Sequence, residues 1–219
     1  MQFLYKSKNF LLINKPVGVP SQSDPSGDPD AMTLASAKLA ESGEDSTLFL
    51  VHRLDRVVGG VIAFARNKKA AAALSSIIGT EKFVKEYLAV VEGKAEGSVL
   101  TDLVYKDAMQ SKAFVVDKPR KGVKEAILSY EPLSFIEQHT LVRVRLSTGR
   151  FHQIRVQFSS RKMPLVGDKK YGSRDTVARA PALFAHRLSF SCLGEKIDIK
   201  SYPECGYPWC NFDLFREDN

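Results

Sequence analysis

The chain has 219 residues, 44% hydrophobic and 26% charged, a balance that suits a folded globular protein and argues against a long disordered region. Its net charge of +7 favours a polyanionic partner, and its three cysteines argue against a disulfide-built secreted scaffold. There is no apolar run of about 18 residues to cross a membrane and no signal-peptide pattern in the first residues, so the expected compartment is the cytoplasm.

In chain order, residues 10–13 (Phe-Leu-Leu-Ile) predict a buried strand, stopped by Asn14-Lys15-Pro16 and Gly18. Residues 20–30, with Pro20, Pro25, Gly27 and Pro29, predict a loop, and residues 33–41 a helix. Residues 48–51 form a short apolar strand leading into His52. Residues 57–65 are apolar and β-rich around Gly59-Gly60, and Asn67 is placed to cap an Ala-rich helix over 68–78. Strands follow at 82–91, 100–105, 113–116, 125–130 and 141–146. The period then changes. Phe151, Ile154 and Phe158 fall at i, i+3 and i+7, which predicts a helix from about 150 to 160, capped by Ser147 or Thr148. Residues 183–191 and 196–200 return to strand. Many strands and few helices predict an α+β fold, a mixed, largely antiparallel sheet with flanking helices. With no internal repeat and no clear linker, residues 1–219 read as a single domain.

Some clusters carry chemical interest. Arg155 lies on the apolar stripe of the late helix, where a guanidinium needs a carboxylate or phosphate unless it reaches out to water. His52-Arg53-Leu54-Asp55 follows an apolar strand directly, a place where sites form and where an Asp also caps turns. Tyr87 shares a strand face with Phe83, Ala89 and Val91, which fits a core tyrosine or a platform for an unstacked base. Cys205 and Cys210 would supply half a zinc set, but no second Cys/His pair lies near, so no metal is expected. There is no phosphate-cradling loop, zinc-protease helix or nucleophile elbow.

Taken together, four stretches resemble the RluA-type RNA pseudouridine synthases, in order and spacing from about residue 10 to 204. Ile13-Asn14-Lys15-Pro16-Val17-Gly18 is similar to "NKPxG". His52-Arg53-Leu54-Asp55, with Gly60 five residues on, is similar to "HRLDxxTSG". Lys85-Glu86-Tyr87-Leu88-Ala89-Val90-Val91-Glu92-Gly93 is similar to "KxYxAxVxG". Thr148-Gly149-Arg150-Phe151-His152-Gln153-Ile154-Arg155-Val156, followed by Pro164-Leu165-Val166-Gly167-Asp168 and Tyr171-Gly172, is similar to "TGRTHQIRVH" and "PxxGDxxYG".

The resemblance implies a pseudouridine synthase catalytic fold with a central RNA-binding cleft. It implies Asp55 as the catalytic aspartate, Tyr87 packed on the target uracil, Arg155 paired with the aspartate, and Arg53 in contact with RNA. The target uridine must leave its stack. Asp55 then attacks C1′ of the ribose or removes a proton from C2′, and the freed uracil rejoins through C5. As an isomerisation this needs no redox cofactor, nucleotide or metal. The expected partner is ribosomal or transfer RNA, acted on by a monomer without an extra N-terminal RNA-binding module. Lys118, Arg120, Lys121, Arg161 and Lys162 are candidate RNA contacts. The chain departs from the pattern at Val58-Gly59, in place of the family's Thr-Ser, and at Val57, where the family's residue is often acidic, and it lacks the family's His near residue 21. The alternative reading is a catalytically impaired RNA-binding protein that retains the synthase fold; a hydrolase using Asp55 as base lacks a second catalytic group.

Overall fold

The structure, a computed structural model, describes residues 1–215. Its strands are β1 (Gln2–Lys6), β2 (Phe10–Lys15), β3 (Phe49–Leu50), β4 (Gly59–Ala65), β5 (Phe83–Glu92), β6 (Ser98–Asp107), β7 (Lys112–Val116), β8 (Val123–Ile136), β9 (His139–Leu146), β10 (Leu183–Cys192) and β11 (Glu195–Lys200). Its α-helices are α1 (Ala31–Glu41), α2 (Lys68–Ile77) and α3 (Gln153–Ser159). The chain divides into two compact units: Met1–Lys85 with Phe184–Tyr202, and Glu86–Leu183 with the described residues from Pro203 on.

In the first unit, β2 lies antiparallel between β1 and β4. β3 pairs antiparallel with the end of β4, β10 runs parallel to its start, and β11 returns antiparallel to β10. β2 and β4 are buried along almost their whole length, which is why both read as continuous apolar runs rather than alternating ones. Phe10, Leu12, Val61 and Ala63 point into a core with Ala70 and Leu74 of α2, Phe83, Leu188, Phe190 and Ile197. Phe190 stacks on Phe83 and meets Phe10 edge-on. Both longer helices are capped as short polar residues allow: the Asp30 carboxylate accepts from Thr33 N at 3.0 Å and the Asn67 side chain accepts from Ala70 N at 2.8 Å.

The second unit is an antiparallel ladder in which β5 pairs with β9, β9 with β8, β8 with β6 and β6 with β7. One apolar cluster joins Leu88, Val90 and Leu141 to Val166, Ala182 and Phe212. A second places Val156 of α3 against Val104, Ala113, Ala126 and Tyr171.

The fold class is the expected one, with local differences. β1 was not anticipated, because its half-exposed, mixed sequence is interrupted by a register shift between Phe3 and Tyr5. β8 runs past Tyr130 to Ile136 because Pro132 sits at a register shift, where a missing N–H is tolerated. α3 starts at Gln153 rather than near Arg150, since His152 is left-handed with φ 52°. Neither Ser147 nor Thr148 caps it. The Gln153 side chain instead reaches back, its Oε1 accepting from Arg150 N at 2.9 Å and from the Thr148 hydroxyl at 2.8 Å.

Candidate active site

Asp55 lies in the first unit, in the turn between β3 and β4. β3 pairs with Ala65 and Phe64 and then leaves the edge of β4. The His52 ring takes over that edge: its Nε2 accepts from Ala63 N at 3.0 Å while the ring meets Phe83 edge-on. Burial, and secondarily the Lys85 charge, pushes the His52 pKa down to about 3, so the imidazole is neutral and acts as a fixed acceptor. Arg53, next along the chain, is exposed. Leu54 is buried and exchanges two hydrogen bonds with the Ser21 hydroxyl. Val58 N donates to the Asp55 carbonyl at 3.0 Å and closes the turn.

Arg56 ties this turn to the 18–28 loop. Its Nε donates to the Gly18 carbonyl and its Nη1 to the Ser26 hydroxyl, both at 2.9 Å, and its guanidinium pairs with Asp24 and Asp28. Beneath lies Lys15, fully buried, with Nζ donating to the carbonyls of Pro16, Val19 and Arg56 at 2.9, 2.6 and 3.3 Å. Burial pulls its pKa down to about 8, while the nearby Asp55 charge acts in the opposite direction. Gly60 explains the fixed spacing after the motif. It has φ +115°, and a Cβ there would fall 2.2 Å from the Ala185 carbonyl oxygen, so only glycine lets β4 and β10 approach. The departure at Gly59 is also packed: an added Cβ would lie 3.0 Å from a Val17 methyl and 3.2 Å from the Lys15 carbonyl.

Tyr87 and Arg155 belong to the second unit. Tyr87 is 8% exposed on β5, in register with Val144 of β9. Arg155 on α3 is buried, and the carboxylate recorded on it is Asp168: Nε donates at 2.7 Å and Nη2 at 2.8 Å in a bidentate pair. Its guanidinium also lies 5.0 Å from the centre of the Tyr171 ring. Tyr171 closes a small network. Its hydroxyl accepts from Ala113 N at 2.8 Å and lies 2.8 Å from His152 Nδ1. Burial, then the charges of Arg155, Lys170 and Lys106, push the His152 pKa down to about 3.

Asp168, Lys15 and Ser21 were not singled out from sequence. For Asp168 there was a usable signal: an acidic residue closing the run Pro164-Leu165-Val166-Gly167 calls for a buried cation. Of the surface candidates, Lys118, Arg120, Lys121 and Lys162 are set differently from Arg161. Lys118, Arg120 and Lys121 are exposed, with Arg120 over the Tyr105 ring. Arg161 is engaged by Asp102 at 2.9 and 3.1 Å. Cys192, Cys205 and Cys210 are free thiols. Among the described residues no group of three or more His, Cys, Asp or Glu side chains is arranged to hold a metal, and no helix is long and apolar enough to cross a membrane.

Residues 9–160, which run through Asp55, Tyr87 and Arg155, match the family model for RNA pseudouridylate synthase. The chain is 33% identical over 184 residues to ribosomal large subunit pseudouridine synthase D of Buchnera aphidicola subsp. Baizongia pistaciae, covering 80% of this chain and 55% of that protein. It is 27% identical over 217 residues to an uncharacterized RNA pseudouridine synthase of Haemophilus influenzae, covering 99% of this chain and 94% of that one. It is 30% identical to tRNA pseudouridine synthase C of Haemophilus ducreyi over 183 residues, 78% of this chain and 74% of that one. The chain spans only 55% of the Buchnera relative's length, and 63% of the length of the similar ribosomal large subunit pseudouridine synthase C of Rickettsia conorii and of Rickettsia felis. The fold is that of the solved human RNA pseudouridylate synthase domain containing 4, with a TM-score of 0.76 at 23% identity, covering 92% of this chain and 88% of that one. The chain therefore belongs to the RNA pseudouridylate synthase family, of the RluA type that its motifs resemble.

Proposed function

We propose that this protein isomerises specific uridines of ribosomal or transfer RNA to pseudouridine, with residues 1–219 acting as a single catalytic domain and Asp55 as the catalytic group. The observation that carries this reading is the position of Asp55. It sits in a turn fixed on each side by hydrogen bonds, inside the stretch that matches the family. Tyr87 takes the role of the platform on which the flipped uracil rests. Arg155 takes the role of the cation that neutralises the reacting carboxylate, and its bidentate bond to Asp168 supports this by orienting the guanidinium in advance. Arg53, exposed beside Asp55, contacts the RNA. No redox cofactor or metal enters the isomerisation. The three free thiols support action in the reducing cytoplasm, and the enzyme acts as a monomer.

Purified protein incubated with RNA from a strain lacking it is expected to form pseudouridine, mapped at single-nucleotide resolution. Asp55→Asn is expected to lower the rate by at least about a thousandfold without unfolding the protein. Absence of product in every cellular RNA tested would leave the alternative, an RNA-binding protein without turnover. Equal rates for wild type and Asp55→Asn would refute the site.

A further inference from the structure

We propose that Ser21 and Lys15 form a two-point clamp on the backbone either side of Asp55, with Ser21 as a positioning residue for the reaction; this rests on Asp55 being the catalytic group. Ser21 holds the residue before it. Its hydroxyl accepts from Leu54 N at 3.0 Å and donates to the Leu54 carbonyl at 2.8 Å, so one oxygen satisfies both polar groups of that residue. Lys15 holds the residue after it, through the bond from Nζ to the Arg56 carbonyl. The same carbonyl accepts from Gly18 N at 2.8 Å.

Both arms are rigid. Ser21 is 4% exposed and Lys15 0%. Lys15 ends β2, in register with Gly60 of β4, and its ammonium is held by two further carbonyls. The chain at Ser21 is anchored by its neighbour, because the Pro20 carbonyl accepts from Ala31 N at 2.8 Å at the start of α1. In a buried turn the N–H and C=O of Leu54 need partners. A serine hydroxyl can both accept and donate at this point, and an alanine can do neither. The clamp grips peptide groups rather than the carboxylate. Its effect is therefore to fix the direction in which Asp55 projects, to which the rate of a positioned reaction is sensitive at about the 1 Å level.

The test compares wild type, Ser21→Ala, Ser21→Cys, Ser21→Thr and Asp55→Asn. The readouts are single-turnover rate and KM on a responsive RNA, amide hydrogen exchange at Leu54, and circular dichroism. Ser21→Ala is expected to speed Leu54 exchange and to lower the rate by about tenfold or more with KM within about twofold. Ser21→Thr, which keeps the hydroxyl, is expected to restore most of the rate. Ser21→Cys replaces the hydroxyl by a weak hydrogen-bonding thiol and is expected to fall between; if the alanine variant does not fold, Cys against Thr decides. Unchanged Leu54 exchange in Ser21→Ala would overturn the clamp itself. Faster exchange with an unchanged rate, or no rescue by Thr, would overturn its role in the reaction. An inactive wild type would refute the proposed function and the catalytic part of this inference together, leaving the exchange measurement to judge the clamp alone.

Discussion

Replacing Asp168 by alanine removes one member of an ion pair whose side chains are 6% and 1% exposed. The pair is held by two bonds of 2.7 and 2.8 Å. Removing one partner of such a pair costs about 3–5 kcal/mol, mostly because the other charge stays buried. At about 2–4 °C per kcal/mol for a chain of this length, Tm should fall by about 6–20 °C. Arg155→Met should be destabilising for the reciprocal reason. The double variant should be less unstable than the sum of the two by about 2 kcal/mol or more, because the mutual attraction of the pair is then lost once rather than counted twice. Urea unfolding of the four proteins at pH 7, followed by circular dichroism, measures each term. Additivity within about 0.5 kcal/mol would refute the reasoning, since independent sites add to that tolerance. A Tm drop in Asp168→Ala smaller than for an ordinary surface substitution would do the same.

Lys15 makes stability pH-dependent. Its folded pKa, about 8, lies below the ordinary 10.5, so between those values the unfolded chain binds more protons and stability rises with pH. The difference is worth about 3 kcal/mol; Lys15→Met should flatten that rise in urea midpoints taken from pH 7.5 to 10.5, and an unchanged slope would contradict the burial of its ammonium. Gly60→Ala should destabilise by about 3 kcal/mol or more, read as Tm, because it combines a positive φ with a clash against the Ala185 backbone. A near-neutral Gly60→Ala would show that β4 and β10 separate without penalty.

The periodic features of the sequence were legible because they are local. Asn67 as a cap, the two buried runs that became β2 and β4, and the order of later strands all follow from neighbours within a turn or a pleat. The four motif stretches were equally legible, and with them Asp55, Tyr87 and Arg155 as the residues to question. Where local pattern competed with context it failed in small ways: Pro132 did not end β8, and α3 waited for a left-handed His152.

The amino-acid sequence by itself determined the α+β class, the family and a buried arginine in need of a counter-charge. Only the tertiary structure decided that Asp168, 13 residues on, supplies a counter-charge to Arg155, and that Ser21, 33 residues before Leu54, grips the turn that holds Asp55. The physical reason is that spacing along a chain reports which face a side chain occupies, whereas the partner of a buried polar group depends on which distant segment folds against it, and hydrogen bonds are lost within a few tenths of an ångström.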